Sequence, residues 1–561
     1  MKKLILKIII VLVVANFAAL AYDFPDATEI HNIAKKLDLQ KYPDADSILI
    51  SDVQNIKYNK DGTGENTDDV YIMIVTEKGK DENRTINFHF NCYYQKIEIL
   101  FAELIKSDSS TVNIDITSNS RISVNHNQMS SNIYDPNQKV MTLNIPGLEI
   151  GDIIHYRFKE TIIKTRMPNT WSELIVLQYD QPIIDYKIEV ISPPELPLAK
   201  IAIKNEVPGT VTYKKIKENE LNIHRWEVKN VPQVFPEPDM PPLYTQVQRL
   251  LLGTISNWEE ISQWYWQLCF PHLQKINSAM EDEVKKLCEN KDGDLEKIRA
   301  IFDFVSQKVR YMGITTENEA PGYEPHDVSI TFDKRYGVCR DKAALLTAML
   351  RIAGFDAFPV LIMAGPKKDA DVPNPYFNHA ITCVQMKKEE YLLMDATNET
   401  QKEFLPAYLS DKSFLVAKPE GEKLKVSPII PVEKNMLLIR TNCEIRNDKS
   451  AIAQSEIKFS GINDSAYRGA FLRRSKEQVY DFLETILKRP GNNYKLESFE
   501  IFPQNLSDMS EELTLKMTYQ IPDVYVSGNS SSIFLPPVLS NLFGMANFLI
   551  DKMGLEKRNF P

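Results

Sequence analysis

This 561-residue chain is poor in the residues that build metal sites and disulfide frameworks. It has six cysteines (Cys92, Cys269, Cys288, Cys339, Cys383, Cys443), scattered, with no C-x-x-C pair, and eight histidines with no H-E-x-x-H spacing. A zinc site and a small disulfide-stapled fold are therefore excluded, and no metal or other cofactor is expected. Cys269 with Cys288 is a conceivable bridge. Apart from Cys339, most of these thiols read as small buried apolar residues.

A strong positive charge is also missing. The formal net charge is −10 and the pI about 5.5, which excludes nucleic acid as the expected partner. The charges are mixed along the chain, so there is no acidic tail, and no internal repeat or low-complexity tract is present. Past residue 20 no apolar run reaches the ~18 residues a membrane span requires. The one long apolar run lies at the start. Met1-Lys2-Lys3 is basic, Leu4 to Leu20 is mostly apolar, and Ala19-Leu20-Ala21 has the small-x-small form of a cleavage site. Residues 1–21 thus read as a signal peptide, and the mature protein is expected to be exported, periplasmic or extracellular, and soluble. The core from Ile8 to Val14 is short for a spanning helix, and an uncleaved anchor is the competing reading.

The length calls for three or four domains at ~100–200 residues each. Over 46–230 the pattern alternates as strands do, for example at Ile86, Phe88, Phe90, Cys92 and Tyr94 and at Tyr186, Ile188 and Val190. Asp61-Gly62 marks a hairpin turn. The acidic stretch Asp61 to Asp69 lacks the spacing of a calcium loop and reads as a solvated turn. The segment 231–255, with Pro232, Pro236, Pro238, Pro241 and Pro242, reads as a linker. Ser256-x-x-Glu259 reads as a capping box before a helix carrying Trp258, Ile261, Tyr265 and Leu268, a stripe expected to pack in a core. A second helix, 294–308, presents Leu295, Ile298, Phe302, Val305 and Val309 on one face. A Gly-, Pro- and Glu-rich loop follows at 313–327, a candidate lid. Alternation returns from about 431 to 519, with a helix near 476–487, which indicates a C-terminal β-rich domain over 430–561.

The chemistry concentrates between these flanks, in 256–420. Cys339 follows Tyr336-Gly337-Val338 and opens a helical run that ends at Gly354, placed as a C′ glycine. A thiol at a helix N-terminus has its pKa lowered by unpaired N–H groups aimed at the sulfur. Segments 378–386 and 390–394 read as a hairpin closed by Lys387-Lys388-Glu389, which sets His379 nearly opposite Asp395. Cross-strand neighbours ~5 Å apart are close enough for a carboxylate to orient an imidazole. Cys339, His379 and Asp395 thus form a candidate set of nucleophile, base and orienting residue. The Cys339 backbone N–H is the candidate oxyanion donor, and Asp341 suits the helix start as a cap. A one-residue slip in the hairpin would turn His379 away. His326, in the irregular Pro325-His326-Asp327 stretch, is the competing base.

The motifs Tyr311-Met312-Gly313-Ile314, Gly322-Tyr323-Glu324-Pro325-His326, Arg335 to Lys342 and Asn378-His379-Ala380 resemble bacterial transglutaminase-like proteins of the papain-like superfamily. Gly147 to Tyr156 resembles the signature of an N-terminal β-rich domain of unknown function found in one of their subfamilies. The resemblance spans about 40–420. It implies an α+β multidomain fold, with an N-terminal antiparallel β-sandwich, a central papain-like transglutaminase core and a C-terminal β-rich domain. It also implies a Cys-His-Asp triad on Cys339, His379 and Asp395. Val338 stands where many relatives carry a polar or acidic residue, and no tryptophan follows Cys339 as in animal transglutaminases. The expected activity is acyl transfer at an amide of a protein or peptide substrate through a Cys339 thioester, with hydrolysis favoured over cross-linking. The alternative is a non-catalytic scaffold whose β-rich flanks hold an envelope protein or glycan; a calcium-regulated transglutaminase is a third reading.

Overall fold

The structure is a computed structural model that describes residues 22–314, 322–488, 493–528, 532–534, 539–540 and 542–544. Residues 1–21, expected to be a signal peptide, and part of the candidate lid (315–321) lie outside the described residues, as does much of the stretch after 528. Among the described residues no helix is long and apolar enough to cross a membrane.

The chain is multidomain and mixed α/β, with an N-terminal β-rich domain. Alternating burial builds that domain around an eight-stranded sheet. Its order is Val211–Glu218, Leu221–Val231, Ile183–Ser192, Ser47–Tyr58, Gly64–Ile74, Ile153–Ile162, Gln95–Ile105, Thr111–Asn113. Seven pairs define this sheet, and the pair of Ser47–Tyr58 with Ile183–Ser192 is parallel, so the expected all-antiparallel sandwich is corrected at its centre. A second sheet, Ser172–Val176, Arg249–Gly253 and Lys200–Lys204, shares one core with the first. Leu250, Leu252 and Ile175 pack there with Ile56, Val70 and Trp226.

That second sheet also corrects the linker. Arg249–Gly253 is fully buried and pairs on both sides, so only the first part of 231–255 is connector. A run of Leu250-Leu251-Leu252 has the composition of a strand covered on both faces, and the prolines upstream obscured it.

The hairpin at Asp61-Gly62 forms as expected. Gly62 takes φ +83, and Asp61 accepts from the Thr63 N–H (3.0 Å) and hydroxyl (2.7 Å). The rest of the acidic stretch is strand. There Asp69 meets His155 and Arg157 at 2.9 Å each, and Glu65 lies 3.3 Å from Lys159.

The central domain packs helices Trp258–Leu273, Ser278–Cys288, Asp294–Lys308, Val328–Lys334 and Cys339–Ile352 with an antiparallel sheet. Its strand order is Glu390–Met394, His379–Lys387, Ala357–Ile362, Ser413–Val416, Lys425–Val426. The first of these helices starts one residue later than expected. Asn257, not Ser256, caps it by accepting from the Glu260 N–H at 3.1 Å. Trp258, Ile261 and Tyr265 are buried core, as their spacing suggested. In helix Asp294–Lys308 the buried face is Ile298, Ile301, Phe302 and Val305, while Leu295 points outward. All six cysteines are unpaired, so the conceivable Cys269–Cys288 bridge is not formed.

The C-terminal part carries a four-stranded antiparallel sheet, Leu437–Ile445, Ala451–Phe459, Thr514–Ile521 and Lys495–Phe502. It is covered by helix Lys476–Leu487 and by a second helix, Ile462–Leu472, absent from the sequence reading. A buried Arg468 fork on Asp464 (2.7 and 2.9 Å) stabilises that second helix from within, and no strand-like alternation could signal it.

The N-terminal and central domains are joined by more than a tether. Arg249 reaches Asp369 at 3.1 and 3.2 Å, and Lys204 Nζ lies 2.7 Å from Asp371 Oδ2. Gly313–Ile314, at the rim of the central domain, pairs in parallel with Ile133–Tyr134 of the N-terminal domain.

Candidate active site

Cys339 is the first residue of the helix Cys339–Ile352, which lies inside the central core with Leu345, Leu346, Met349 and Leu350 fully buried. The helix is fixed at both ends. At its start Asp341 Oδ2 accepts from the Val338 N–H at 3.0 Å, half of a capping box, while Val338 offers no acceptor in return. At its end Gly354 takes φ +90. Its N–H donates to Arg351 O and that of Phe355 to Leu350 O, both at 3.0 Å, which is a Schellman closure. Lys342 is buried and donates to the Ser306 carbonyl at 3.2 Å and also to that of Val309, which ties the helix to the end of Asp294–Lys308. Burial lowers its ammonium pKa to about 8, against the pull of Glu399 and Asp395.

Gly337 must be glycine for a local reason: a Cβ there would stand 2.6 Å from the Cβ of Asp341. The turn into the helix is thus pressed against its own first turn, and the thiol is set at a rigid corner.

His379 begins its strand and Asp395 follows the end of the next. The register differs from expectation. Thr382 faces Met394 and Cys383 faces Leu393, so His379 and Asp395 are diagonal neighbours on one face and not directly opposite. Their side chains still meet, with His379 Nε2 3.0 Å from Asp395 Oδ2. Diagonal pairs lie within reach of side chains as long as histidine. Nδ1 is then the ring nitrogen left for the thiol, and Cys339 and His379 line the same cleft.

Asp395 is 2% exposed and fully engaged. Besides His379 it accepts from the Tyr408 hydroxyl at 2.5 Å, the Thr397 N–H at 3.0 Å and the Thr397 hydroxyl at 2.7 Å. Burial alone would raise its pKa, but the His379 bond and charge, with Tyr408 and Thr397, hold it at about 2. Burial would lower His379, yet its bonds to Asp395 and Cys339 raise it to about 10. Burial likewise pushes the Cys339 thiol up. The His379 hydrogen bond and charge, the Ala380 N–H and Arg340 outweigh it, so the net shift is downward. All three shifts favour one charge distribution: carboxylate, imidazolium, thiolate.

The competing base is held elsewhere. His326 Nδ1 lies 3.0 Å from Asp341 Oδ1, and the His326 N–H donates to the same oxygen at 2.9 Å. Asp341 thus does more than cap: it pins the loop bearing His326 to the helix start.

Two further residues escaped the sequence reading. Tyr408 lies in a short 3-10 turn (Ala407–Leu409) with no periodic signal. Tyr311, already quoted in a motif, sits in a two-residue bridge to Tyr336–Gly337 that sets it in the cleft with Cys339. Burial and Cys339 raise its pKa. The hydroxyl therefore shares the space beside the Cys339 N–H where an oxyanion would form.

Cys339, His379, Tyr311 and His326 line a cleft of about 670 Å³. One wall is the central domain; the other is the N-terminal domain, through Asn125, Gln128, Ile133 and Arg166.

A thiol at a helix N-terminus, with an imidazole and a carboxylate on neighbouring antiparallel strands, is the arrangement of a cysteine-enzyme-like fold. Comparison with known proteins narrows this. Residues 282–396 match the transglutaminase-like superfamily, and the chain carries a domain of that superfamily. Residues 60–235 match a domain of unknown function, DUF3857. No curated protein matches the chain. A candidate protease from Parabacteroides distasonis superposes with a TM-score of 0.54 at 14% identity, covering 87% of this chain and 94% of its own. A candidate cysteine protease from Cytophaga hutchinsonii aligns over 62% of this chain and 78% of its own at 13% identity, with a TM-score of 0.17. The periplasmic domain of TgpA from Pseudomonas aeruginosa aligns over 42% of this chain and 78% of its own at 16% identity and a TM-score of 0.17. The fold comparison rests on the first of these.

Proposed function

We propose that the protein is an exported cysteine enzyme that acts on amides of proteins or peptides, with Cys339 as nucleophile, His379 as general base and acid, and Asp395 as the residue that orients His379. The observation that carries this reading is the 3.0 Å contact of His379 with Asp395 in the cleft that Cys339 also lines, with all three pKa shifts favouring the thiolate–imidazolium state.

In this reading the Cys339 thiolate adds to the amide carbonyl carbon. The oxyanion is met by the Cys339 N–H, His379 delivers a proton to the leaving amine, and a thioester remains. A second acceptor then attacks the thioester after passing its proton to His379. Water is the acceptor we favour, giving hydrolysis, because the His379 side chain retains 11% exposure at the cleft and water can reach it. An amine in its place would give cross-linking. Export rests on the pattern of residues 1–21, and the β-rich flanks are the surfaces on which an envelope protein or glycan would be held.

A thiol-directed probe tests the reading. Iodoacetamide should label Cys339 stoichiometrically near neutral pH, and His379→Ala should abolish that labelling. Labelling that is sluggish and follows only on unfolding would overturn it.

A further inference from the structure

The cleft carries a charge pattern opposite to that of the chain. Net charge is −10 overall, yet the described charged lining comprises Arg166, Lys334 and Arg340 against two carboxylates, Asp135 and Asp341, besides the two imidazoles. Both carboxylates are already taken. Asp341 accepts from His326 and Val338, as described above. Asp135 Oδ1 accepts from the Asn137 N–H and side-chain amide at 3.0 Å each, and Asn91 Nδ2 lies 3.4 Å from its Oδ2.

Arg166 comes from the N-terminal domain, a few residues past strand Ile153–Ile162. Its contacts among the described residues are aromatic: the guanidinium carbon sits 4.4 Å from the Tyr94 ring centre and 5.8 Å from that of Tyr323. None of the ion pairs among the described residues involves it. It is pressed against the central domain, where a Cβ on Gly322 would come within 3.0 Å of Arg166 Nη1; that glycine sits at φ +118. Arg340, from the first turn of the Cys339 helix, donates to the Gly322 carbonyl. Two guanidinium groups, one from each domain, therefore converge on one glycine of the cleft wall. A guanidinium steered by aromatic faces, with no carboxylate partner among the described residues, keeps its planar fork of donors for a ligand, and the fork matches a carboxylate.

We propose that Arg166 is the specificity residue of this cleft: the N-terminal domain supplies the guanidinium that binds a carboxylate of the peptide whose amide Cys339 attacks. This rests on the reading of Cys339 as nucleophile and adds the substrate class, peptides bearing a carboxylate near the attacked bond. It also gives the DUF3857 domain a task, substrate selection by a domain that contributes none of the proposed catalytic side chains. A neutral or cationic peptide would leave Arg166 desolvated against the two tyrosine rings without a counter-charge, which selects against it.

The test uses alkylating peptides on the full-length protein: N-iodoacetyl-glycine, -diglycine and -triglycine, each compared with its C-terminal amide. In each, the Cys339 thiolate displaces iodide. Successive members move the carboxylate by ~3.5 Å, which scans its distance from the sulfur. At one spacing the acid should react about tenfold faster than the amide, the size of one charge-assisted hydrogen bond. Arg166→Gln should erase that difference while leaving the rate with plain iodoacetamide unchanged, and Arg166→Lys should keep part of it. N-iodoacetyl-aspartate α-amide and -glutamate α-amide form a second arm. Preference for these over the glycine acids assigns the site to acidic side chains, and the reverse assigns it to a chain terminus. Equal acid and amide rates at every spacing in the unmodified protein overturn the proposal, as does a preference that survives Arg166→Gln. Loss of reactivity to iodoacetamide itself would instead overturn the nucleophile reading, so the two failures are distinguishable.

Discussion

Replacing Asp395 by asparagine removes one charge and leaves the shape of the hydrogen-bond cradle. Thr397 can still donate through its N–H and its hydroxyl to the amide oxygen, so the fold around Thr397 should hold, while the amide nitrogen takes the place of Oδ2 and the Tyr408 hydroxyl must turn to accept from it. What is lost is the charge that keeps His379 protonated, since Asp395 supplies the largest of the contributions raising it to about 10. A hydrogen bond to a charged group contributes about 1.5–3 kcal/mol, and one pKa unit is about 1.36 kcal/mol, so the imidazolium should lose roughly 1–2 pKa units. Cys339 is lowered chiefly by that imidazolium, and its own titration must move up as His379 weakens. The assay is the second-order rate of iodoacetamide alkylation of Cys339 from pH 4 to 11. In the unmodified protein the rate should rise on the acid side at a pH well below that of an ordinary thiol. In Asp395→Asn the rise should shift upward by about 1–2 pH units. An acid limb that stays in place, with the protein still folded by circular dichroism, would refute the claim that Asp395 acts through His379 on the sulfur.

The hydroxyl of Tyr311 can be separated from the thiolate by choice of reaction. Tyr311→Phe should leave iodoacetamide alkylation, which develops no oxyanion, within about twofold, while acylation by an activated peptide ester should slow by about tenfold or more. Equal effects on both reactions would mean that Tyr311 only positions the thiol. Far from the cleft, burial and the charge of Asp69 raise the Asp52 carboxyl to about 8, so it holds its proton in the folded state across neutral pH. An unfolded aspartate ionises near 4. The folded state therefore binds the extra proton between about pH 4 and pH 8, and stability falls with rising pH across that window. Asp52→Asn should raise the melting temperature at pH 8 and change it little near pH 4. A melting-temperature gain that is the same at both pH values would contradict this.

Much of the site was legible because its chemistry is local in sequence. Gly337-Val338-Cys339 fixes a helix start by itself, and a short polar turn at 387–389 makes the hairpin that carries His379. The register of that hairpin was not legible, since nothing in the two strands distinguishes directly opposed from diagonal pairing when both put the same faces together. Tyr408 was invisible because a lone tyrosine in a 3-10 turn has no period to read. Arg166 and Asp135 belong to a domain more than a hundred residues upstream, and only the folded chain brings them to the thiol. The second C-terminal helix was missed for a related reason: its buried Arg468 donates to the carbonyls of Leu506, Asp508 and Glu511, tertiary partners about forty residues away, in a segment flanked by strongly alternating strands.

The strand Arg249–Gly253 changes where the N-terminal unit ends as a piece of chain. A fragment stopping at residue 235, the limit of the matched domain, would hold Ser172–Val176 and Lys200–Lys204 with the strand between them missing. Each would then present an open row of backbone donors and acceptors, the arrangement that invites other chains to pair. During synthesis the same gap persists until residue 253 has left the ribosome, by which time the first helix of the central domain is next to emerge. The strand therefore belongs to the N-terminal unit, and a productive cut between the two domains lies after Gly253, not among the prolines.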